Sequence, residues 1–320
     1  MNAQALLRRS LLLAAPVLTA LRSVDAQASQ IWLNKDLRII VVYPAGGVSD
    51  QMCRFMAQKA SVLLKRPVIV ENRAGGGGSV GMAVLANSPP DGQTLAFAAI
   101  STLTSLPKFN QVAYAPQRDF TPVIGVMRAP TLVVGTPIFS GTRLSDIMDV
   151  PPPTQAGYRW ATSGVGTTGH MVMEQVRLAT QAKLVHIPYK GGGQQINDAL
   201  GGQFELLSTN LGATQLQHIQ AQKLKPLAIG VPSRVRQLSH VPTLEELGFP
   251  QANLMSTFGI FAPAKTPQAI IERLNGVFNT VLSIQEFRAQ LADSGDMLLG
   301  GTPEQFAELI TKEAGWLHKR

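Results

Sequence analysis

Apolar positions along the chain fall into two alternating kinds of stretch. Short β-branched or apolar runs read as buried strands, and longer segments with apolar residues three or four apart read as helices. The clearest pair begins at Ile39–Val42, a continuous β-branched run of the kind buried on both faces of a parallel sheet. Pro44 ends the run, Gly46 and Gly47 permit a tight turn, and Met52, Phe55, Met56 and Leu63 follow at helical spacing. Ser49 or Asp50 is placed to cap that helix. Such a turn aims unpaired backbone N–H groups past the carboxyl end of the sheet, where small anions bind. Pro67–Glu71 and Thr94–Ile100 read as two further strands with a helix near Gly81–Asn87 between them. Three βα units predict a doubly wound α/β domain.

Between Phe120 and Gly135 the apolar stretches are interrupted by Pro122 and Pro130, with Pro137 beyond, which suits a crossover into another domain. Pro151–Pro153 reads as a rigid surface turn. The opening pattern then recurs: Tyr158–Thr162 as a strand, Ser163–Gly169 as a glycine and hydroxyl loop, and a helix starting near His170. Leu184–Ile187 leads into a third such loop, Pro188–Gly193, and a helix through Ile196 and Leu200. Phe204–Ser208 and Leu227–Val231 read as strands, and Phe258–Ala262 as a return strand. Pro267–Ser283, Glu286–Ala292 and Pro303–Leu317 are amphipathic, the first and last opening after Thr-Pro. The expected organisation is a first domain over residues 29–129 and 256–320, and a second over residues 130–255.

Residues 1–28 change the picture from fold to destination. Arg8 and Arg9 precede an apolar run, Leu11–Leu21, that is too short to span a bilayer, and small residues follow at Ala26 and Ala28. This predicts an export leader and a periplasmic mature protein. The chain has one cysteine, Cys53, so no intramolecular disulfide is possible even in an oxidising compartment. The formal charge of +8 falls to +6 when Arg8, Arg9, Arg22 and Asp25 are removed with the leader. No basic run with interleaved aromatics points to nucleic acid, and the charge favours anionic ligands. The five histidines, His170, His186, His218, His240 and His318, lack metal-ligand spacing, so no metal or cofactor is expected.

Two well-known motifs fall on the glycine run Gly75–Gly78. Gly76, Gly78 and Gly81 have dinucleotide-binding spacing, and Gly77, Ser79 and Gly81 have nucleophile-elbow spacing. Four consecutive glycines make both matches cheap. Asn72, Arg73 and Ala74 separate the first motif from its strand, no acidic residue follows about 20 positions on, and no histidine lies near Ser79 in sequence. A second glycine loop at the same sheet edge is the better reading.

Two domains joined twice, each presenting a glycine and hydroxyl turn, point to a ligand held between them. Pro44-Ala-Gly-Gly-x-x-Asp50, Glu71-Asn-Arg73 with its glycine run, Pro90-Asp-Gly92, Ser163-Gly-Val-Gly166 with His170, Pro188-Tyr-Lys-Gly191, Pro242-Thr with Glu246 and Gly248, and Gly259-Ile-Phe-Ala-Pro263 occur in an order that resembles the Bug family, extracytoplasmic solute-binding receptors of tripartite tricarboxylate transporters. The resemblance covers nearly the whole mature chain. It implies a two-domain α/β periplasmic-binding-protein-like fold of type II, a small carboxylic acid in the cleft, and membrane transporter subunits as partners of a monomer. It places carboxylate contacts on Ala45, Gly46, Gly47 and Ser49 in the first domain and on Ser163, Gly166 and Thr167 in the second. Asp50 is either a helix cap or a partner for a ligand ammonium, and His170 either a structural hydrogen-bonder or a ligand group. Ser101 and Asn210, just past further strands, complete the candidate ligand-binding set. The sequence departs from the family at Gly76, where alanine is common, and at Thr257-Phe258, where a Trp-Tyr or Trp-Phe pair is usual; the lost indole is expected to alter a cleft wall. No catalytic residue is assigned. A ligand-sensing receptor for a signalling partner, and an exported hydrolase using Ser79, stand as alternatives.

Overall fold

The computed structural model describes residues 36–318, and the expected export leader lies outside them. Leu37–Val41 (β1) runs parallel to Val68–Asn72 (β2) on one side and to Thr94–Ala99 (β3) on the other. Ile39, Ile40 and Val41 are wholly buried, which is why the run does not alternate with polar residues. Between β1 and β2 the chain forms Val48–Leu64 (α1), whose Met52, Cys53, Met56 and Ala60 lie in the core, and between β2 and β3 it forms Ser79–Ala86 (α2). These are the βα units that the apolar pattern predicts.

Phe120–Gly135 (β4) departs from expectation. The proline-interrupted crossover is one strand of 16 residues that belongs to two lobes. Its first part, from Phe120 to Pro130, pairs antiparallel with Met255–Pro263 (β9), which lies between β3 and β4. From Thr131 to Gly135 it pairs instead with Leu206–Asn210 (β7) and Lys225–Gly230 (β8). Both prolines occupy positions where a missing N–H is harmless. Pro122 sits at a register shift in the β4–β9 ladder, and Pro130 is the last residue paired with β9, where one sheet gives way to the other.

In the second lobe Tyr158–Thr162 (β5) runs parallel to Leu184–Pro188 (β6) and to β7. Thr168–Thr180 (α3) covers one face of this sheet, with Val172, Met173 and Val176 packed against Val133, Trp160 and Leu206. Gly192–Leu200 (α4) and Ala213–Gln220 (α5) cover the other, where Ile196 and Leu216 meet Leu132 and Val134. Adjacent β4 residues thus serve opposite cores, as strand alternation requires. The strand read as Phe204–Ser208 lies two residues later. Phe204 is buried in the core, but pairing with β4 starts only at Leu206, while the Glu205 carboxylate accepts hydrogen bonds from Arg159. Gln268–Ser283 (α6), Gln285–Ser294 (α7) and Pro303–His318 (α8) return to the first lobe, where Phe306 of α8 packs so closely on Gly259 that no Cβ fits there, and leaves little room for one at Gly125. Met297–Leu298 (β10) adds a short antiparallel pairing to β4.

Within the second lobe, backbone packs closely on backbone where β8 ends. A Cβ on Gly230 would stand 2.2 Å from the Leu254 carbonyl oxygen, a backbone atom that cannot swing aside. Gly230→Ala is therefore expected to destabilise the protein by about 1–3 kcal/mol, the usual cost of overpacking. Urea unfolding should show the lower midpoint at an unchanged slope.

Candidate functional site: a cavity faced by four helix ends

A cavity of about 560 Å³ lies between the lobes. Four helices of eight residues or more begin at its wall. α1 enters through Gly46–Ser49, α3 through Thr167–Gly169, α4 through Gly191–Gln194, and α5 through Ala213–Gln215. The first N–H groups of a helix have no intrahelical acceptor and carry the positive end of its dipole. Three of the four caps are glycines, Gly47, Gly191 and Gly212, and none of these places a side-chain oxygen over the free donors. Among the described residues no Asp, Glu, Lys or Arg lines the cavity, and His218 is its one imidazole. Its positive potential thus comes from oriented backbone, about half a charge per helix end.

Hydroxyls and amides fill the spaces between the helix ends. Ser49, Ser101 and Ser163 line the cavity, and their side chains make no hydrogen bond with any described residue. Asn210 also lines it and accepts a hydrogen bond from Ser256 at 2.7 Å. Gln215 is held at one end by a 3.3 Å bond from its amide to Thr209, while its buried carbonyl oxygen has no partner. Tyr43 and Phe258 supply an aromatic corner, and Phe97 stacks behind Phe258 at 5.8 Å.

Of the residues singled out from the sequence, Ala45, Gly46, Gly47, Ser49, Ser101, Ser163, Thr167 and Asn210 line this one cavity. Asp50, Gly166 and His170 do not. The Asp50 carboxylate accepts hydrogen bonds from the Gly46 N–H, Arg54 and Asn72, so it turns into the βα loop and shapes it. Nor is it the N-cap, a place that Gly47 holds. Burial alone would push its pKa up, but Arg54, Gly46 and Asn72 outweigh that and hold it below the ordinary carboxylate value. Gly166 packs on Leu106 of the other lobe, and its N–H donates to Nδ1 of His170. Thr167 reaches the cavity, yet its hydroxyl donates to the Gly164 carbonyl and accepts the His170 N–H as the cap of α3. Thr257 faces away from this cavity, so the missing indole leaves its wall unaltered. Successive residues of β9 point to opposite sides, and only Ser256 and Phe258 point inward.

The glycine run that mimics two motifs has another use. Gly75 to Gly78 all have positive φ, and a Cβ on Gly77 would meet the Val165 carbonyl oxygen at 2.6 Å across the lobe boundary. The rim of the cleft closes through more contacts of this kind: Gly166 on Leu106, Gly191 on Pro44, and Gly212 on Val48. The Ser105 hydroxyl donates to the Gly166 carbonyl at 2.6 Å, and Phe109 meets the edge of His170 at 5.0 Å. Sequence reading missed the α5 end altogether, because Ala213–Gln220 has few apolar positions at helical spacing. The Gly191–Gly193 end carried a visible signal, three glycines before a helix, without a residue that marks ligand contact.

Beneath the α3 loop, His170 and His186 stack at 4.4 Å, with His186 Nε2 2.7 Å from the Thr162 hydroxyl. Burial, aided by His170, pulls His186 down to about 4, and burial also lowers His170 against the opposing pull of Glu174.

Residues 52–316 match the family described as tripartite tricarboxylate transporter family receptor. Protein BugT of Bordetella pertussis is 31% identical over 281 residues, which cover 87% of this chain and 86% of that protein. Among solved structures, a periplasmic transporter superposes with a TM-score of 0.82 at 33% identity, over 88% of this chain and 95% of its own. Rpa4515 of R. palustris with adipate gives 0.81 at 27%, over 89% of this chain and 96% of its own. The chain thus has the two-domain α/β fold of periplasmic binding proteins.

The histidine pair generates a pH dependence. A histidine whose pKa is lowered on folding contributes stability that is complete above its unfolded value near 6.5 and is lost as pH falls toward about 4. Stability should drop on acidification from pH 7 to pH 5 by on the order of 1 kcal/mol, with allowance for solvent at the half-buried ring. Urea unfolding across that range should show the slope, and His186→Asn should flatten it.

Proposed function

This chain belongs to the tripartite tricarboxylate transporter receptor family, and on that premise we propose that it is a periplasmic solute-binding protein that captures a small carboxylic acid between its lobes. The observation that carries the reading is the convergence of four helix starts on a cavity that no Asp, Glu, Lys or Arg among the described residues lines. Four such ends offer on the order of two positive charges, fixed in place before the ligand arrives. One carboxylate is held by the α1 and α3 ends with Ser163, and the rest of the acid faces the α4 and α5 ends. The R. palustris relative with adipate has a ligand of this class.

Binding is coupled to closure. Each lobe supplies only part of the donors, so a ligand gains its full set when the rim contacts form. The hinge runs through β4 near residues 129 and 130 and through β9 near residues 255 and 256, which makes residues 36–129 with 256–318 one rigid body and 130–255 the other. A transporter subunit then reads the closed shape. Ser79, the candidate nucleophile, makes no hydrogen bond with any described base, which supports a receptor over a hydrolase.

A thermal-shift screen of mono-, di- and tricarboxylates should identify the ligand, since saturation at 100 times Kd adds about 2.7 kcal/mol of stability. Ser163→Ala should weaken the best acid by roughly 1–3 kcal/mol and leave unfolding nearly unchanged. Calorimetry showing equal affinity would remove this loop from the site, and turnover of the acid would overturn the receptor reading.

Gly191→Ala tests closure. The added Cβ would stand 2.3 Å from Pro44 Cδ on the opposing lobe, so it wedges the rim without touching either core. Affinity should fall at least tenfold, about 1.4 kcal/mol. Small-angle scattering should show that the acid no longer compacts the variant.

A further inference from the structure

A second cavity, of about 240 Å³, lies between the lobes on the opposite face of β9. Met255 and Thr257 point into it, whereas Ser256 and Phe258 point into the cavity described above. Arg128 is the β4 partner of Thr257 and projects to the same side. Arg128 is half-buried, and its guanidinium makes no hydrogen bond or ion pair with any described residue. Five donors in a rigid fork are costly to leave unmatched in a partly desolvated place. Lys312 stands exposed at the same rim. The acid beside them, Glu313, accepts a hydrogen bond from the Thr104 hydroxyl at 2.9 Å. Burial pushes its carboxyl up to about 7 despite that bond and the nearby Arg128, so near neutral pH it cancels only part of the two positive charges. The other walls are mixed: Ile100 and Leu309 from the first lobe and Met171 and Leu254 from the second are apolar, Ser105 and Asn253 are polar, and Ser101 and Thr168 are shared with the main cavity.

We propose that this rear cavity binds a monocarboxylate with a short apolar tail, its carboxylate on Arg128 and Lys312 and its tail among Ile100, Met171, Leu254 and Met255. A cation pair at one end and aliphatic walls at the other match such an amphiphile, and the volume, roughly that of eight waters, limits the tail. The site differs in kind from the main cavity, which holds negative charge without any cation. An occupant touches both lobes and the hinge strand between them.

The test uses the full mature chain with 13C-labelled methionine methyl groups, with Met171 and Met255 assigned by substitution. Hexanoate is the probe and uncharged hexanamide its control. Hexanoate should shift both methyl signals saturably, and hexanamide should bind at least tenfold more weakly. Arg128→Gln should weaken hexanoate at least tenfold, Arg128→Lys should retain most of the affinity, and Lys312→Gln, at an exposed position, should weaken it a few-fold and leave the unfolding midpoint unchanged. Ser163→Ala should leave hexanoate unaffected, which separates this site from the main cavity and keeps its failure distinct from that of the receptor reading. The proposal is overturned if no saturable shift occurs, if hexanamide binds equally well, if Arg128→Gln and Lys312→Gln both leave binding unchanged, or if Ser163→Ala weakens it as much as Arg128→Gln.

Discussion

A helix start leaves backbone donors that its own turns cannot satisfy, and this constraint organises the molecule. Placing four such starts around one space builds a receptor for negative charge from main chain alone. The arrangement then dictates side-chain choices around it. Caps must not consume the donors, so Gly47, Gly191 and Gly212 stand where serine or aspartate would serve an isolated helix better. The one hydroxyl cap, Thr167, takes only the His170 N–H and leaves those of Thr168 and Gly169, which line the cavity, free. Asp50 spends its charge on Gly46, Arg54 and Asn72, which keeps a carboxylate near the site from opposing the ligand.

Glycine has a second role at the boundary between lobes. Backbone must meet backbone if donors from both sides are to reach one small ligand. Gly77, Gly166, Gly191 and Gly212 each meet the opposing lobe at distances where a Cβ would collide. The run Gly75–Gly78 therefore has a physical explanation that owes nothing to nucleotides or to a nucleophile.

Much of this was legible because strand, glycine turn and helix follow one another within a few residues. Ile39–Val42 with Gly46 and Gly47, and Tyr158–Thr162 with Ser163, carry their signals locally. What failed depended on distant partners. Asp50 finds Asn72, 22 positions away, and Gly166 finds Leu106 in the other lobe, so neither role could be read from spacing. The β4 prolines suggested an interrupted crossover because their harmlessness depends on which strands lie alongside. α5 escaped notice because only Leu216 and Ile219 pack its apolar side. The rear cavity depends on the register of β4 against β9, which composition cannot supply.

The position of β9 governs the order in which the chain can become itself. This strand lies between β3 and β4, yet it follows the whole second lobe in sequence. Until it arrives, β3 and β4 each present an unpaired edge, and the apolar faces of Phe97 and Ile124 lack their cover. The second lobe, an uninterrupted stretch, needs no such late partner for β5, β6 and β7. Folding of the first lobe must therefore wait for a long-range closure, the slow kind of step. A chain halted before Met255 would carry a sheet with a missing middle, open to pairing with its neighbours.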